Sequence, residues 1–376
     1  MSKTTSKRQS NLELLRIISM LLIILQHYFL HGILIPADEA TAAALHTTHD
    51  YYWIKFLSTW AEIGVNCFVL ITGYFMIRSQ FTLKKFLILW SGIFFYSIAY
   101  LLLTLVLNPG NQNPDFPAIG ISTTLMALFP ILSYEYWFLS TYIILCACTP
   151  LLNKLLIGLT KTQFQAFVAG MIFIQVFFHE GDFFRFLTLY TVAAYIRLHL
   201  SPSTWARKYI WGIFILSTSV LLLFCYCQEF FTLRQSTPRV IQFIQTHCLA
   251  ETSLTVLVLS ISLFALFLRS DIGSKPSINT VASCTLGVYL IHDNPFIRQA
   301  LWKNMGNLDW ATSPYLYLHC AVCVVGIFIA CTIIDYLRKI AIEPTFKLLI
   351  DKAIIPCIQQ TVAILKKPLK RVLHLD

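Results

Sequence analysis

The stretch SNLELLRIISMLLIILQHYFLHGILI, residues 10–35, decides how this chain folds. From Leu14 to Ile35 it is apolar for long enough to cross a bilayer, which takes about 20 residues. It carries no small-residue cleavage pattern, so a retained helix is expected and not a removed signal peptide. Arg16, His27 and His31 nevertheless sit inside it. Arg16 and His27 are eleven positions apart, close to three helical turns, so they share one face and lie about 16 Å apart along the axis. Ionisable groups inside a membrane are costly unless they line a cavity or find partners, so this stripe reads as functional. The bland alternatives are an Arg16 that snorkels to the headgroups, a Glu13 that only completes a capping box with Ser10, and a His27 bonded to a neighbouring helix. His31, one turn further on, falls near the outer interface.

The rest of the chain has the same character. Hydrophobic residues make up 57% of its 376 residues and charged ones 12%, with a mean hydropathy of +0.68; a soluble domain carries roughly a quarter charged residues. Apolar runs place helices near 12–35, 57–77, 86–107, 136–157, 164–178, 185–200, 209–227, 251–268, 280–301 and 314–337. With the N-terminus in the cytoplasm, 21 of the 28 basic residues fall on the inside, as positive-inside topology requires. The expected fold is therefore all-α: a polytopic membrane protein of about ten transmembrane helices with both termini cytoplasmic. Residues 1–340 form the membrane domain and 341–376 a basic, amphipathic tail suited to an anionic leaflet. Asn108 to Asp115 reads as a loop, and Ile119 to Leu132, too short to span, as an interfacial or re-entrant helix.

The net charge of +10 does not point to nucleic acid, because the basic residues fall in short groups between apolar runs. Eleven cysteines, including the pairs Cys146 with Cys148, Cys225 with Cys227 and Cys320 with Cys323, lie mostly in apolar runs and read as small packing residues; no metal is expected. His46, His49 and Asp50 in the first outer loop could make a small metal site, against the plainer reading of a solvated loop. The second span adds Glu62 and Asn66 on one face, with Gly73 permitting close helix approach. The ninth adds Leu286-Gly-Val-Tyr-Leu-Ile-His-Asp293, placing His292 deep in the outer half of the membrane.

Five blocks in order resemble the acyltransferase-3 family of membrane-bound O-acyltransferases. They are Asn11-x-Glu-x-x-Arg16 with His27, Phe68-Val-Leu-Ile-Thr-Gly-Tyr-Phe75, Tyr136-Trp-Phe-Leu-Ser-Thr-Tyr142 leading to Pro150-Leu-Leu-Asn153, Leu189-Tyr-x-x-x-x-Tyr195-Ile-Arg197, and Val288-Tyr-Leu-Ile-His292. The resemblance runs from Asn11 to about Arg338. It implies a ten-helix core, an acyl-CoA donor, commonly acetyl-CoA, approaching from the cytoplasm, and transfer to a hydroxyl of a surface polysaccharide or its lipid-linked precursor in a bacterial inner membrane. Arg16 and His27 are its implied essential pair. The chain departs from the family pattern at Thr72, where Ser is usual, at Asn66, where many members have Asp, and at Ala193 or Ala194, where Gly is common.

Acyl transfer to a hydroxyl needs a base and a group to stabilise the oxyanion. An imidazole titrates near neutral pH, so His27 is the expected general base or a transient acyl carrier, with Arg16 and Glu13 completing the catalytic group. Arg16, Arg78, Lys84 and Lys85 are expected on the CoA phosphates, which guanidinium groups grip in bidentate fashion; for the last three, ordinary positive-inside charge is the alternative. Glu62, Asn66, Tyr136, Trp137 and His292 are the expected acceptor-binding residues, although interface anchoring also accounts for the aromatics. A transporter or flippase for a lipid-linked sugar or small solute is the main rival and calls for pseudo-symmetric halves and broken helices; a scaffold would leave the Arg16 and His27 stripe without purpose. No Gly-x-Ser-x-Gly elbow or His-x-x-x-x-Asp element marks a soluble-type acyltransferase.

Overall fold

A computed structural model of the protein describes residues 9–47, 50–79, 82–133, 136–179, 181–234 and 238–362. Among these the secondary structure is helical throughout, as expected for a chain that must satisfy its backbone polar groups inside lipid. Helix α1 (Ser10–Phe29) continues through a π-helical turn, Leu30–Leu34. It starts without a side-chain cap: the Ser10 hydroxyl donates to Asn279 Oδ1 (2.8 Å) and accepts from the Lys275 N–H (2.8 Å). The Ser10–Glu13 capping box is therefore not formed, and Glu13 pairs with Arg16 instead.

Short α2 (Glu39–Thr47) leads into a long helix that breaks at Glu62 into α3 (Asp50–Ala61) and α4 (Ile63–Met76). Thr82 caps α5 (Leu83–Leu107) by accepting from the Lys85 N–H. The short apolar segment before the fourth span becomes α6 (Ile121–Leu128), lying on α5. Then come α7 (Trp137–Gly158), α8 (Lys161–Phe178), α9 (Asp182–His199), α10 (Arg207–Leu233), α11 (Pro238–Phe243) and α12 (Leu254–Leu268). The chain ends in α13 (Pro276–Ser283), α14 (Thr285–His292), α15 (Arg298–Asn304), α16 (Leu316–Ala341) and α17 (Glu343–Leu349).

Seven stretches among the described residues are long and apolar enough to cross a membrane: Ser10–Leu34, Asp50–Met76, Leu83–Leu107, Trp137–Gly158, Arg207–Leu233, Pro238–Leu268 and Leu316–Ala341. The three other expected spans differ for visible reasons. In α8, Lys161 and three glutamines dilute the apolar run, and α9 carries Asp182, Arg185 and Arg197. The expected helix over 280–301 is three short pieces, broken at Cys284 and again after His292. The tail is tied back to the body through an acidic residue, Asp351, which lies 2.7 Å from Lys84 of α5; residues 363–376, the last part of the expected amphipathic segment, lie outside the described residues.

Helix α1 is the hub: it packs against α3, α4, α12, α13, α14 and α16. Large apolar side chains point outward from α5 (Leu102, Val106), α10 (Ile215, Leu216) and α16 (Leu318, Val322), a surface that only lipid would cover on such a scale. Because lipid is as apolar as the helices, close packing holds the bundle. At Gly73 of α4 an added Cβ would stand 2.7 Å from the Tyr190 carbonyl oxygen and 2.8 Å from its Cα, both backbone atoms of α9. Gly73→Val is therefore expected to destabilise the bundle by about 1–3 kcal/mol, read as a lower thermal midpoint in detergent. An unchanged midpoint would show that α4 and α9 are not held at this distance.

Candidate active site

The first site residue is Arg16, in the second turn of α1. Its Nη1 lies 2.8 Å from Glu13 Oε2, an i,i+3 pair on one helix face, and the guanidinium stays partly open. It looks into a cavity of about 490 Å³ that follows α1 from Arg16 past Met20 and Ile23 to Gln26 and His27. The far walls are Val65, Phe68, Thr72 and Met76 of α4, Leu139 and Tyr142 of α7, and Leu286 and Tyr289 of α14. Around the Arg16 end stand Ser79, Lys85, Ser283 and Lys339; around the His27 end stands Trp137. A second recess of about 320 Å³ shares Lys85, Leu89, Ser283, Leu286 and Lys339 with the first and adds Asp335, Arg338 and Glu343. The cavity is cationic at one end, apolar along its length and ends on an imidazole.

His27 is buried beneath a polar cluster built by α14 and α15. Its Nδ1 is 3.1 Å from His292 Nε2 and 3.6 Å from Asp293 Oδ1. His292 Nδ1 lies 2.6 Å from the Val288 carbonyl oxygen on its own helix. Asp293 Oδ1 is 2.7 Å from Arg298 Nε and 3.9 Å from His31 Nε2. The π-helical turn after Phe29 directs His31 into this cluster, a common use of such turns at functional sites. His27, His31 and Asp293 offer possible ligand atoms within 4.8 Å of one another. Arg298 already gives that carboxylate its counter-charge, so an ion there would face a guanidinium at close range.

A lipid-embedded bundle whose central helix carries a cation and a histidine into one shared cavity is the setting for the comparisons with known proteins. The model of a family described as an acyltransferase domain matches residues 9–335, which includes every cavity-lining residue except Lys339. The chain belongs to the acyltransferase-3 family. No curated protein and no solved structure gives a match. Membership of the family makes this chain a membrane acyltransferase in general terms.

As an acyltransferase-3 chain, it distributes the residues expected from sequence unevenly about the cavity. Arg16, Lys85, Trp137 and His27 line it. Glu13 holds Arg16 and, fourteen residues before His27, lies about 21 Å from it along the axis. Arg78 is exposed and lies outside the cavity wall, and Lys84 turns to Asp351. Glu62 sits at the break between α3 and α4, with Gln26 as a hydrogen-bond partner. Asn66 faces away from the cavity: its Nδ2 donates to Ser260 Oγ (3.0 Å), linking α4 to α12. Tyr136 is buried, accepting from Asn294 Nδ2 and donating to the Leu290 carbonyl (3.4 Å). Trp137 lies under the Arg185 guanidinium, 5.6 Å away. His292 is fully buried, with both ring nitrogens engaged.

Four site residues escaped the sequence reading: Gln26, Asp293 in its role beside His27, Arg298 and Lys339. Asp293 reads from sequence as a helix-end residue, and Lys339 as one more topology charge. Of the first outer loop, His46 Nδ1 lies 2.6 Å from Glu229 Oε1 across to α10, and His49 lies outside the described residues.

Proposed function

We propose that this protein transfers an acyl group, acetyl in the simplest case, from acyl-CoA to a hydroxyl of a cell-surface polysaccharide or its lipid-linked precursor, in a bacterial inner membrane. The observation that carries the reading is the cavity from Arg16, Lys85 and Lys339 to His27. A span of about 16 Å separates Arg16 from His27, so one molecule that meets both must be long and thin, with anionic groups at one end and the reacting group at the other. A CoA thioester has that shape. In this scheme the phosphates stay among the cations at the cytoplasmic mouth, the pantetheine arm lies along Met20, Ile23 and Leu139, and the thioester meets His27.

At His27 the step is a plain acyl exchange. The acceptor oxygen bonds to the thioester carbon, the C–S bond breaks, and His27 takes the hydroxyl proton and returns it to the departing sulfur. Glu62 with Gln26, and Trp137 with Arg185 above it, flank the same end and are the proposed acceptor contacts. Helix breaks at Glu62 and Cys284 are also features of transporters, the second reading. Membranes holding the protein, incubated with acetyl-CoA labelled in the acetyl group, separate the two: the enzyme puts label into the glycan fraction. Label no higher than in membranes lacking the chain, with the protein demonstrably present, would remove the enzymatic reading.

A further inference from the structure

Resting on that reading, we infer that His292 is a positioning residue, which fixes the nitrogen of His27 that is free to accept a proton. The argument starts at Val288. A carbonyl oxygen only accepts, so the contact of 2.6 Å between it and His292 Nδ1 puts the ring proton on Nδ1. With the ring neutral, His292 Nε2 is then an acceptor. It faces His27 Nδ1 at 3.1 Å, and that bond forms only when His27 carries its proton on Nδ1. Asp293 Oδ1, 3.6 Å from the same nitrogen, is a second acceptor on that side. His31 and Arg298 meet the Asp293 oxygen and not the His27 nitrogen.

Both acceptors that face His27 Nδ1, His292 Nε2 and Asp293 Oδ1, thus favour one tautomer, the one that leaves the lone pair on Nε2. His27 lines the cavity, whereas His292 does not. The base is oriented from behind, as a carboxylate orients the histidine of a Ser-His-Asp triad, with imidazole in the orienting role. When Nε2 takes the acceptor's hydroxyl proton, the imidazolium keeps its Nδ1–H on His292 with Asp293 alongside, and the proton then leaves with the CoA sulfur. Because both nitrogens of His292 are occupied, it is not an acceptor ligand.

Two amides differing by one methylene test this in the full-length protein in membranes. The terminal amide of Gln reaches the position of Nε2 and can accept from His27; that of Asn reaches only the position of Nδ1 and can serve only Val288. His292→Gln is expected to keep kcat within about tenfold of wild type, and His292→Asn to lose on the order of 10²-fold or more. KM for acetyl-CoA and for acceptor should stay unchanged in both. The inference is overturned by equal kcat in the two variants, by an Asn variant better than the Gln variant, or by a raised acceptor KM at unchanged kcat. If Asn does not accumulate, His292→Leu, which packs without accepting, takes its place with the same expected loss. His27→Ala in the same assay keeps the layers apart: its activity reports on the proposed function, and the Gln-to-Asn ratio on His292 alone.

Discussion

Replacing His27 with Ala is expected to lower acyl transfer by 10²- to 10⁴-fold, the usual contribution of a positioned general base, while the protein reaches the membrane at normal levels. Removing the imidazole widens the cavity it lines and leaves His292 Nε2 without its partner, a cost of about 1–3 kcal/mol that a bundle of this size is expected to bear. Labelled glycan per unit of immunodetected protein is the measurement. Transfer retained at near wild-type rate in His27→Ala would take His27 out of the chemistry, whatever its position. His27→Gln is the sharper companion: it keeps size and a hydrogen bond but no base, and should be as inactive as Ala.

The second large effect is expected from filling the cavity without touching either end. Met20 lies on the wall between Arg16 and His27. Met20→Trp puts an indole across the path of the donor. A reacting group displaced by even 1 Å loses about 10²-fold, so transfer should fall at least that far, with a stability cost of about 1–3 kcal/mol from overpacking. Val322→Trp, on the exposed apolar face of α16, adds the same bulk outside the cavity and should leave the rate as it is. Equal activity in the two variants would mean that the donor reaches His27 by another route.

Much of this was legible in the sequence, and the rest was hidden by long-range partners. The first span could be read because it is long and because eleven residues bring Arg16 and His27 to one face by helix geometry alone. The break at Glu62 could not, since the hydropathy of 57–77 is continuous across it. Helix α9 illustrates the limit of any apolar window: Arg185 looks costly in lipid until Asp182 and Glu251 are seen to pair with it. The helix expected over 280–301 came apart for a related reason, as Asp293 ends α14 and engages Arg298. The role of His292 depends on a contact spanning 265 positions, and no spacing rule reaches that far. Lys339 was concealed in plain view, one basic residue among the many that mark topology.

The gap between the acceptor residues expected from sequence and the residues that line the cavity has the same origin. Glu62 and Asn66 share a face at a four-residue spacing, yet Glu62 sits at the junction of α3 and α4 and stays near Gln26, while Asn66, inside α4, turns to Ser260 of α12. Thr72, the departure from the usual Ser, bonds to the Phe68 carbonyl (2.9 Å) and lines the cavity beside the proposed donor path.

The most direct test of the central claim is a structure of the full-length protein in a lipid disc with a non-reactive acetyl-CoA analogue whose sulfur is replaced by methylene. The account predicts phosphates among Arg16, Lys85 and Lys339 and the acetyl carbon within about 3–3.5 Å of a site where an acceptor oxygen also meets His27 Nε2. An analogue bound elsewhere, or in this cavity with its acetyl end turned away from His27, would contradict it.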